Sequence, residues 1–305
     1  MESENSWKDQ KSNRSFASTT DHECPNAGRV VNAERFQIVV TLNELMQMKG
    51  RRVLITGATG SLGQVIVDTV AELGANLLLV DRPGSDFQGL IDSVTQRWAV
   101  TIQCETCDLE QQDQRDDLVD RVKRGGLKLD VLINNAAFVG TSGLQGWAVP
   151  FEQQSVETWR RALEVNVTAA FDLCKQLTLL MRESPCASII NIASIHGQYG
   201  PDWRLYEGTG MANPAAYATS KAGLIQLTRW LATTLAPQVR VNSISPGGIF
   251  RNQPPSFVER YEAQTPMGRM AHEDDFRGAI AYLASDLSKY VTGQNLAVDG
   301  GWGAW

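Results

Sequence analysis

From residue 51 onward the apolar positions fall into short unbroken runs separated by longer stretches of helical periodicity. The first run, 53–56, shows no polar alternation and ends at glycines, the pattern of a parallel strand covered on both faces. A glycine turn follows, then an apolar helix running to Leu73 and closed by Gly74. The next run, 76–80, ends in Asp81. Further strands are predicted at 100–104, 129–134, 188–193, 239–244 and 294–298, and helices at 110–123, 155–181, 215–235 and 273–285. Seven strands alternating with helices predict an α/β fold, a doubly wound parallel sheet with helices on both faces, forming one domain over 49–305.

Ahead of that domain, residues 1–34 are rich in Ser, Asn, Asp, Glu and Lys, with too few large apolar groups to offset the entropy of ordering. A short apolar stretch, 36–40, and a helical turn within 41–48 complete what is expected to be a disordered or arm-like extension over 1–48.

Composition narrows the classes. The chain of 305 residues is 43% hydrophobic, ordinary for a globular protein, and carries a net charge of −6. That balance gives no footprint for nucleic acid or an anionic membrane surface, and no apolar run approaches the roughly 20 residues of a membrane span. A cytoplasmic location follows as the expectation. Five cysteines do not read as a disulfide framework, and Cys104 with Cys107 lacks the second ligand pair a zinc site needs. The histidines, His22, His196 and His272, show no ligand spacing, so no metal is expected.

Two stretches carry chemistry. In Tyr217-Ala218-Thr219-Ser220-Lys221 the tyrosine and lysine stand one above the other on a helix. A nearby ammonium favours the phenolate, drawing a phenol from its usual pKa of about 10 towards the range of efficient acid/base work. The second is the glycine turn, Gly57-Ala58-Thr59-Gly60-Ser61-Leu62-Gly63, which follows a strand and opens a helix, the setting of a pyrophosphate site. Asp81 closes the second strand, where a carboxylate accepts ribose hydroxyls and repels a 2′-phosphate, favouring NAD. Arg82 beside it offers a phosphate grip, which admits NADP.

Thr56-Gly57 with the later glycines, Asp108-Leu109, Asn134-Asn135-Ala136-Ala137, Ser194, Tyr217 with Lys221, Pro246-Gly247-Gly248 and Asp299-Gly300-Gly301 occur in one order. In that order the chain resembles the short-chain dehydrogenase/reductase superfamily, from about residue 50 to the end. The resemblance implies a Rossmann-like fold and, by position, a set of roles. Tyr217 is the implied acid/base on the substrate oxygen, Lys221 holds the nicotinamide ribose, Ser194 orients the substrate oxygen, and Asn166 supports a water relay to the lysine. The implied cofactor contacts are Gly57, Thr59, Gly60, Ser61, Leu62 and Gly63, then Asp81, Arg82, Asp108 and Leu109. Asn135, Ala136 and Ala137 continue the set, with Asn134 lining the groove, and Pro246, Gly247, Gly248 and Ile249 close it together with Tyr217 and Lys221.

The chain also departs from that pattern. Its middle glycine is Gly60 where the single-domain branch usually has one at the place of Ser61, and Ala137 replaces a glycine. Arg251 stands where a threonine is common, which puts the usual carboxamide contact in doubt. Ser194 and Tyr217 are unusually far apart because of an added loop within 200–213. That loop, with the lid segment within 250–270, is expected to wall the substrate with His196, Arg204, Tyr206, Glu207, Arg251 and Arg260. Such a wall suits a polyhydroxylated substrate, neutral or anionic. The same stretches resemble sugar-modifying, flagellin-glycan and gluconate 5-dehydrogenase-like members.

The expected function is therefore an NAD(P)-dependent oxidoreductase acting on a secondary alcohol or ketone of a sugar, sugar acid or nucleotide sugar. The alternatives are a cofactor-binding sensor or scaffold without turnover, and an NAD-recycling epimerase or dehydratase, the last hinted at by Gly60. By resemblance the protein is a homodimer or homotetramer pairing through 155–181 and 215–235, helices that carry Trp159 and Trp230.

Overall fold

The computed structural model describes residues 40–305 apart from 127, 140 and 141. The expected arm at 1–34, the stretch 36–39 and His22 lie outside the described residues. One sheet contains β1 (Arg52–Thr56), β2 (Asn76–Asp81), β3 (Ile102–Thr106), β4 (Val131–Asn134), β5 (Ala187–Ile192), β6 (Val239–Pro246) and β7 (Asn295–Val298). Their spatial order is β3-β2-β1-β4-β5-β6-β7, and every pairing is parallel. The apolar runs explain the order of burial: β1, β4 and β5 are covered on both faces along their whole length, while β3 and β7 at the edges are partly open.

The helices are α1 (Leu42–Met46), α2 (Ser61–Glu72), α3 (Gln88–Thr95), α4 (Gln112–Arg124), α5 (Val156–Leu163), α6 (Ala169–Arg182), α7 (Ala215–Leu235), α8 (Pro255–Gln264) and α9 (Arg277–Ala284). One face of the sheet packs against Ile66 and Val70 of α2, Val94 of α3 and Ile280 of α9. On the other face lie Leu118 of α4, Leu173 and Leu177 of α6 and Leu231 of α7. Each wholly buried leucine in these layers, such as Leu54 or Leu132, contributes about 1.5–3 kcal/mol.

Several expected boundaries move. The compact unit begins at Val40 rather than at 49, because Met48 is wholly buried and its N–H donates to the Leu73 carbonyl at 2.8 Å. The predicted helix 155–181 is broken by a π-helical turn at Glu164–Thr168, and 273–285 begins as a 3₁₀ turn, Glu273–Phe276, before α9. The third strand starts at Ile102, two residues past the expected start, and runs on to Thr106. Two helices were not predicted. α3 buries only Leu90 and Val94, and α8, expected to be a loop-like lid, starts on Pro255 at its first turn and buries Phe257 and Tyr261.

Candidate active site

In a sheet of this order the chain reverses direction of propagation between β1 and β4, and the crevice beyond their carboxyl ends is the natural ligand site. The glycine turn and the Asn135-Ala136 loop meet there. Gly57 adopts φ +64°, and a Cβ on it would stand 2.9 Å from the Ala136 Cα, so only glycine lets these two loops touch. Thr56 and Asn135 stitch the same loops together. The Asn135 and Ala136 N–H groups donate to Thr56 Oγ1 at 3.0 and 3.1 Å, and Asn135 Nδ2 donates to the carbonyls of Thr56 and Gly57 at 3.0 and 2.9 Å.

Gly60 is the N-cap of α2 and supplies no side-chain cap. The first amides of that helix, on Ser61, Leu62 and Gly63, therefore face the crevice with the positive end of the helix dipole behind them. A Cβ on Gly63 would collide with the Gly57 carbonyl, which fixes α2 tightly against the turn. This donor set fits a pyrophosphate.

Asp81 sits opposite the turn. Its Oδ2 accepts from Thr59 N at 2.9 Å and Thr59 Oγ1 at 2.8 Å, and its Oδ1 accepts from Arg82 N at 2.8 Å and Ser85 Oγ at 3.2 Å. All four lone-pair sites of the carboxylate are engaged, so a ribose hydroxyl gains a place by displacing the Thr59 or Ser85 hydroxyl. The Arg82 side chain is exposed. Asp108 holds its own turn, Oδ1 accepting from Glu110 N at 3.0 Å, while Leu109 beside it is buried. Asn134 departs from expectation. Rather than lining the groove, it is buried between β4 and α6, donating to Asn191 Oδ1 at 2.8 Å.

The residues expected to be catalytic meet where β5 ends and α7 begins. Ser194 follows β5, is 5% exposed, and lies in hydrogen-bonding reach of the Tyr217 phenol. Lys221 is buried; its Nζ donates to the Ile192 carbonyl at 2.7 Å and stands 5.7 Å from the Tyr217 ring centroid. Asn166, in the π turn, accepts from Phe138 N at 2.7 Å and donates to the Phe138 carbonyl at 3.2 Å and to Ser220 Oγ at 2.9 Å. The π turn thus exists where the helix must present Asn166 to both a loop and α7.

The electrostatics correct one expectation. Burial pushes the Tyr217 pKa up, and the groups that pull it back are the Ser194 hydrogen bond and then the Arg251 charge. Burial also draws Lys221 down to about 8. The lysine does not act as the isolated ammonium that the one-turn spacing suggested, because it is desolvated and directed at the Ile192 carbonyl. His196 meets Tyr217 edge-on, with ring centroids 6.4 Å apart, and burial lowers its pKa to about 4, which leaves it neutral at physiological pH.

The six expected substrate residues separate into two groups. His196, Tyr206 and Arg251 stand near Tyr217. Arg251 also pairs with Glu273, Nε to Oε1 at 3.1 Å, at a half-exposed position. Arg204 turns outward, 77% exposed and bonded to Asp202, and Glu207 is exposed. The Arg260 guanidinium is held by backbone, donating to the carbonyls of Arg204, Leu205 and Glu207 at 3.1, 3.2 and 2.6 Å. Arg260 therefore ties α8 to the added loop instead of facing a substrate.

Sequence reading missed Tyr261. Its phenol oxygen accepts from Gly248 N at 2.5 Å, and its ring stacks on Trp302 with centroids 4.4 Å apart. The i to i+4 spacing of Phe257 and Tyr261 was the available signal. Among the described residues no group of three or more His, Cys, Asp or Glu is placed to hold a metal, and no helix is long and apolar enough to cross a membrane. Cys107 is buried at the end of β3 with its thiol pushed up to about 11, a packing residue.

Residues 57–303 match the family model described as Enoyl-(Acyl carrier protein) reductase. Over 268 residues the chain is 29% identical to the NADP-dependent mannitol dehydrogenase of Alternaria alternata, covering 86% of this chain and 95% of that protein. A structure from Beutenbergia cavernae with bound NADP, assigned as an NAD(P)-dependent gluconate 5-dehydrogenase, is similar with a TM-score of 0.75 and 30% identity, over 86% of this chain and 100% of its own. A short-chain dehydrogenase of Leptospira borgpetersenii with bound NAD+ gives 0.73 and 31%, over 88% and 97%. A match that opens at the first glycine of the turn and ends two residues before the C-terminus takes in both the crevice and its roof: the chain belongs to the short-chain dehydrogenase/reductase superfamily, oxidoreductases that act on CH–OH or carbonyl groups with a nicotinamide cofactor.

Proposed function

We propose that this protein interconverts a secondary alcohol and a ketone on a polyhydroxylated substrate, a sugar alcohol, sugar acid or nucleotide sugar, with NAD preferred and NADP accepted. The observation that carries the substrate class is Arg251, whose charge reaches the Tyr217 phenol from the rim of the cleft. A guanidinium at the rim, whose charge is felt at the reacting oxygen, suits a carboxylate or phosphate on the substrate far better than a fatty acyl chain. Names among the relatives, a mannitol dehydrogenase and a gluconate 5-dehydrogenase, agree with that class.

Bound in the crevice, the nicotinamide supplies the hydride acceptor or donor. The chain supplies everything else. Gly57, Gly60 and the first turn of α2 hold the phosphates, with Thr59 ahead of the helix and Ser61, Leu62 and Gly63 in its first turn. Asp81 and Arg82 border the adenosine ribose, and Asp108, Leu109, Ala136 and Ala137 border the adenine and the groove. Pro246, Gly247, Gly248 and Ile249 lie at the nicotinamide end. Ser194 donates to the substrate oxygen, where negative charge gathers as a carbonyl is reduced. Tyr217 gives that oxygen its proton in reduction and takes it in oxidation. Lys221, backed by Asn166 and Ser220, positions the ribose and restores the proton. The carboxylate of Asp81 disfavours a 2′-phosphate by charge, and Arg82 reduces that penalty.

Exposed Phe171 and Leu179 on α6 and Trp230 on α7 support a homodimer or homotetramer joined through those helices, and a cytoplasmic location goes with this reading.

The experiment is a spectrophotometric screen at the NADH band with hexitols, hexonates and acyl thioesters. Turnover of the first two classes, abolished by Tyr217→Phe while NADH still binds, is expected. Turnover confined to thioesters, or full activity in Tyr217→Phe, contradicts the reading.

A further inference from the structure

Among the described residues four buried side-chain atoms have no hydrogen-bond partner, and one of them is Asn213 Oδ1. The other three, on Arg51, Asn134 and Asn295, belong to the sheet or its edge. Asn213 does not. It is 6% exposed, it directly precedes the N-cap Pro214 of α7, and so it stands one turn ahead of Tyr217.

Its surroundings define what it lacks. The Asn213 amide is in hydrogen-bonding reach of the Tyr206 phenol, and the Tyr206 and Tyr217 phenols are close enough to influence each other. Tyr206 comes from the added loop, its ring held between Trp203 and Phe257 at centroid distances of 5.7 and 5.4 Å. The Asn213 oxygen is a buried acceptor with no protein donor, an arrangement folded proteins avoid unless a ligand or water completes it. The Tyr206 phenol beside it has an O–H to give.

One acceptor and one donor side by side match a hydroxyl, which gives one hydrogen bond and takes another. A carboxylate or phosphate oxygen brings no hydrogen for Asn213 Oδ1, and an apolar chain offers nothing to either group. We propose that Asn213 and Tyr206 form a subsite for a second substrate hydroxyl, on a carbon neighbouring the one held by Ser194 and Tyr217. The inference rests on the polyol reading for its ligand class and adds the position at which the hydroxyl is read. It divides the cleft: Arg251 faces an anionic end, and Asn213 with Tyr206 faces a neutral diol.

The test uses the full chain saturated with NADH, titrated calorimetrically with a hexitol and a hexonate and with analogues of each lacking one hydroxyl. Wild type is expected to bind the parent about tenfold tighter than the analogue deoxygenated beside the reacting carbon. Asn213→Leu and Tyr206→Phe each lose about tenfold for the parent and less than about twofold for that analogue. Thermal melts identify a variant that fails to fold, and Tyr206→Phe then carries the comparison. Failure of wild type to bind any parent, or equal losses for parent and analogue, overturns the subsite. The expected binding pattern, with no NADH formed when the same parents are supplied with NAD+ instead, keeps the subsite and rejects the redox reading; NADH formation without discrimination does the reverse.

Discussion

Lys221 Nζ donates to the Ile192 carbonyl at 2.7 Å, so the last residue of β5 holds the lysine that α7 presents one turn after Tyr217. The contact decides how the pair titrates. Burial lowers the lysine to about 8, which means its positive charge is complete below that pH and lost as pH rises through it. Burial raises Tyr217, so the phenol stays protonated over the same window. Affinity for NADH, followed by fluorescence titration, is therefore expected to weaken roughly three- to tenfold between about pH 7 and 9.5. In Lys221→Met the affinity is lower and flat over that range. A wild-type profile with no inflection near 8 removes the assigned role.

The Arg251–Glu273 pair leads to a charge-specific prediction. Both side chains are partly exposed, so the pair itself is weak and opens readily to a competing anion. Arg251→Ala is expected to raise KM for a hexonate on the order of 10- to 100-fold, the range of a charge-assisted hydrogen bond, and to change KM for a neutral hexitol by less than about threefold. Glu273→Gln frees the guanidinium and lowers KM for the acid. Equal effects of Arg251→Ala on acid and polyol in steady-state kinetics count against an anionic substrate end.

Arg115 yields a stability prediction rather than a catalytic one. It is buried in α4 and donates to Asp172 at 3.0 Å and to the Leu109 carbonyl at 2.6 Å, and it pairs with Glu164 at 2.8 Å. Those partners belong to α6, the loop between β3 and α4, and the π turn that carries Asn166. Arg115→Met leaves two carboxylates with little compensation and is expected to cost about 2–4 kcal/mol, read as a fall in Tm on the order of 5–10 °C. A change under about 1 kcal/mol shows that water replaces the guanidinium.

How much of this was legible beforehand depends on the range of the forces involved. Strands such as 53–56 and 239–244 were readable because a two-sided cover demands an uninterrupted apolar run. Ser194, Tyr217, Lys221 and Asn166 stood out through the order of motifs the chain shares with its superfamily, and the structure places Ser194 just after β5, Tyr217 and Lys221 on α7 and Asn166 in the π turn ahead of α6. The π turn was not legible, since the Asn166 in it is bonded to Ser220, far away in the chain. Nor was the role of Arg260: a solvated arginine and one bound to three carbonyls look alike until the added loop is placed. The direction of the Tyr217 shift failed for the same reason, because desolvation is a property of the packed site and spacing carries no trace of it.

The added loop and α8 form one unit, and its stiffness is measurable. Besides the three Arg260 bonds, Gln264 Nε2 donates to Asp202 Oδ2 at 2.6 Å, and Trp305 Nε1 donates to the Gln264 carbonyl at 3.1 Å. Tyr261, next to Arg260 in the chain, anchors the same half of the helix to Gly248 and Trp302. Removing Arg260 thus leaves α8 attached through Tyr261 while three carbonyls of the loop lose their donor. In Arg260→Met, amide exchange and proteolytic cutting within 201–213 are expected to rise several-fold, KM for substrate to increase, and NADH affinity to stay within about twofold of wild type. Because the Gly248 contact survives, a loss of NADH affinity as large as the loss of substrate affinity identifies Arg260 as part of the cofactor site instead of a tie between lid and loop.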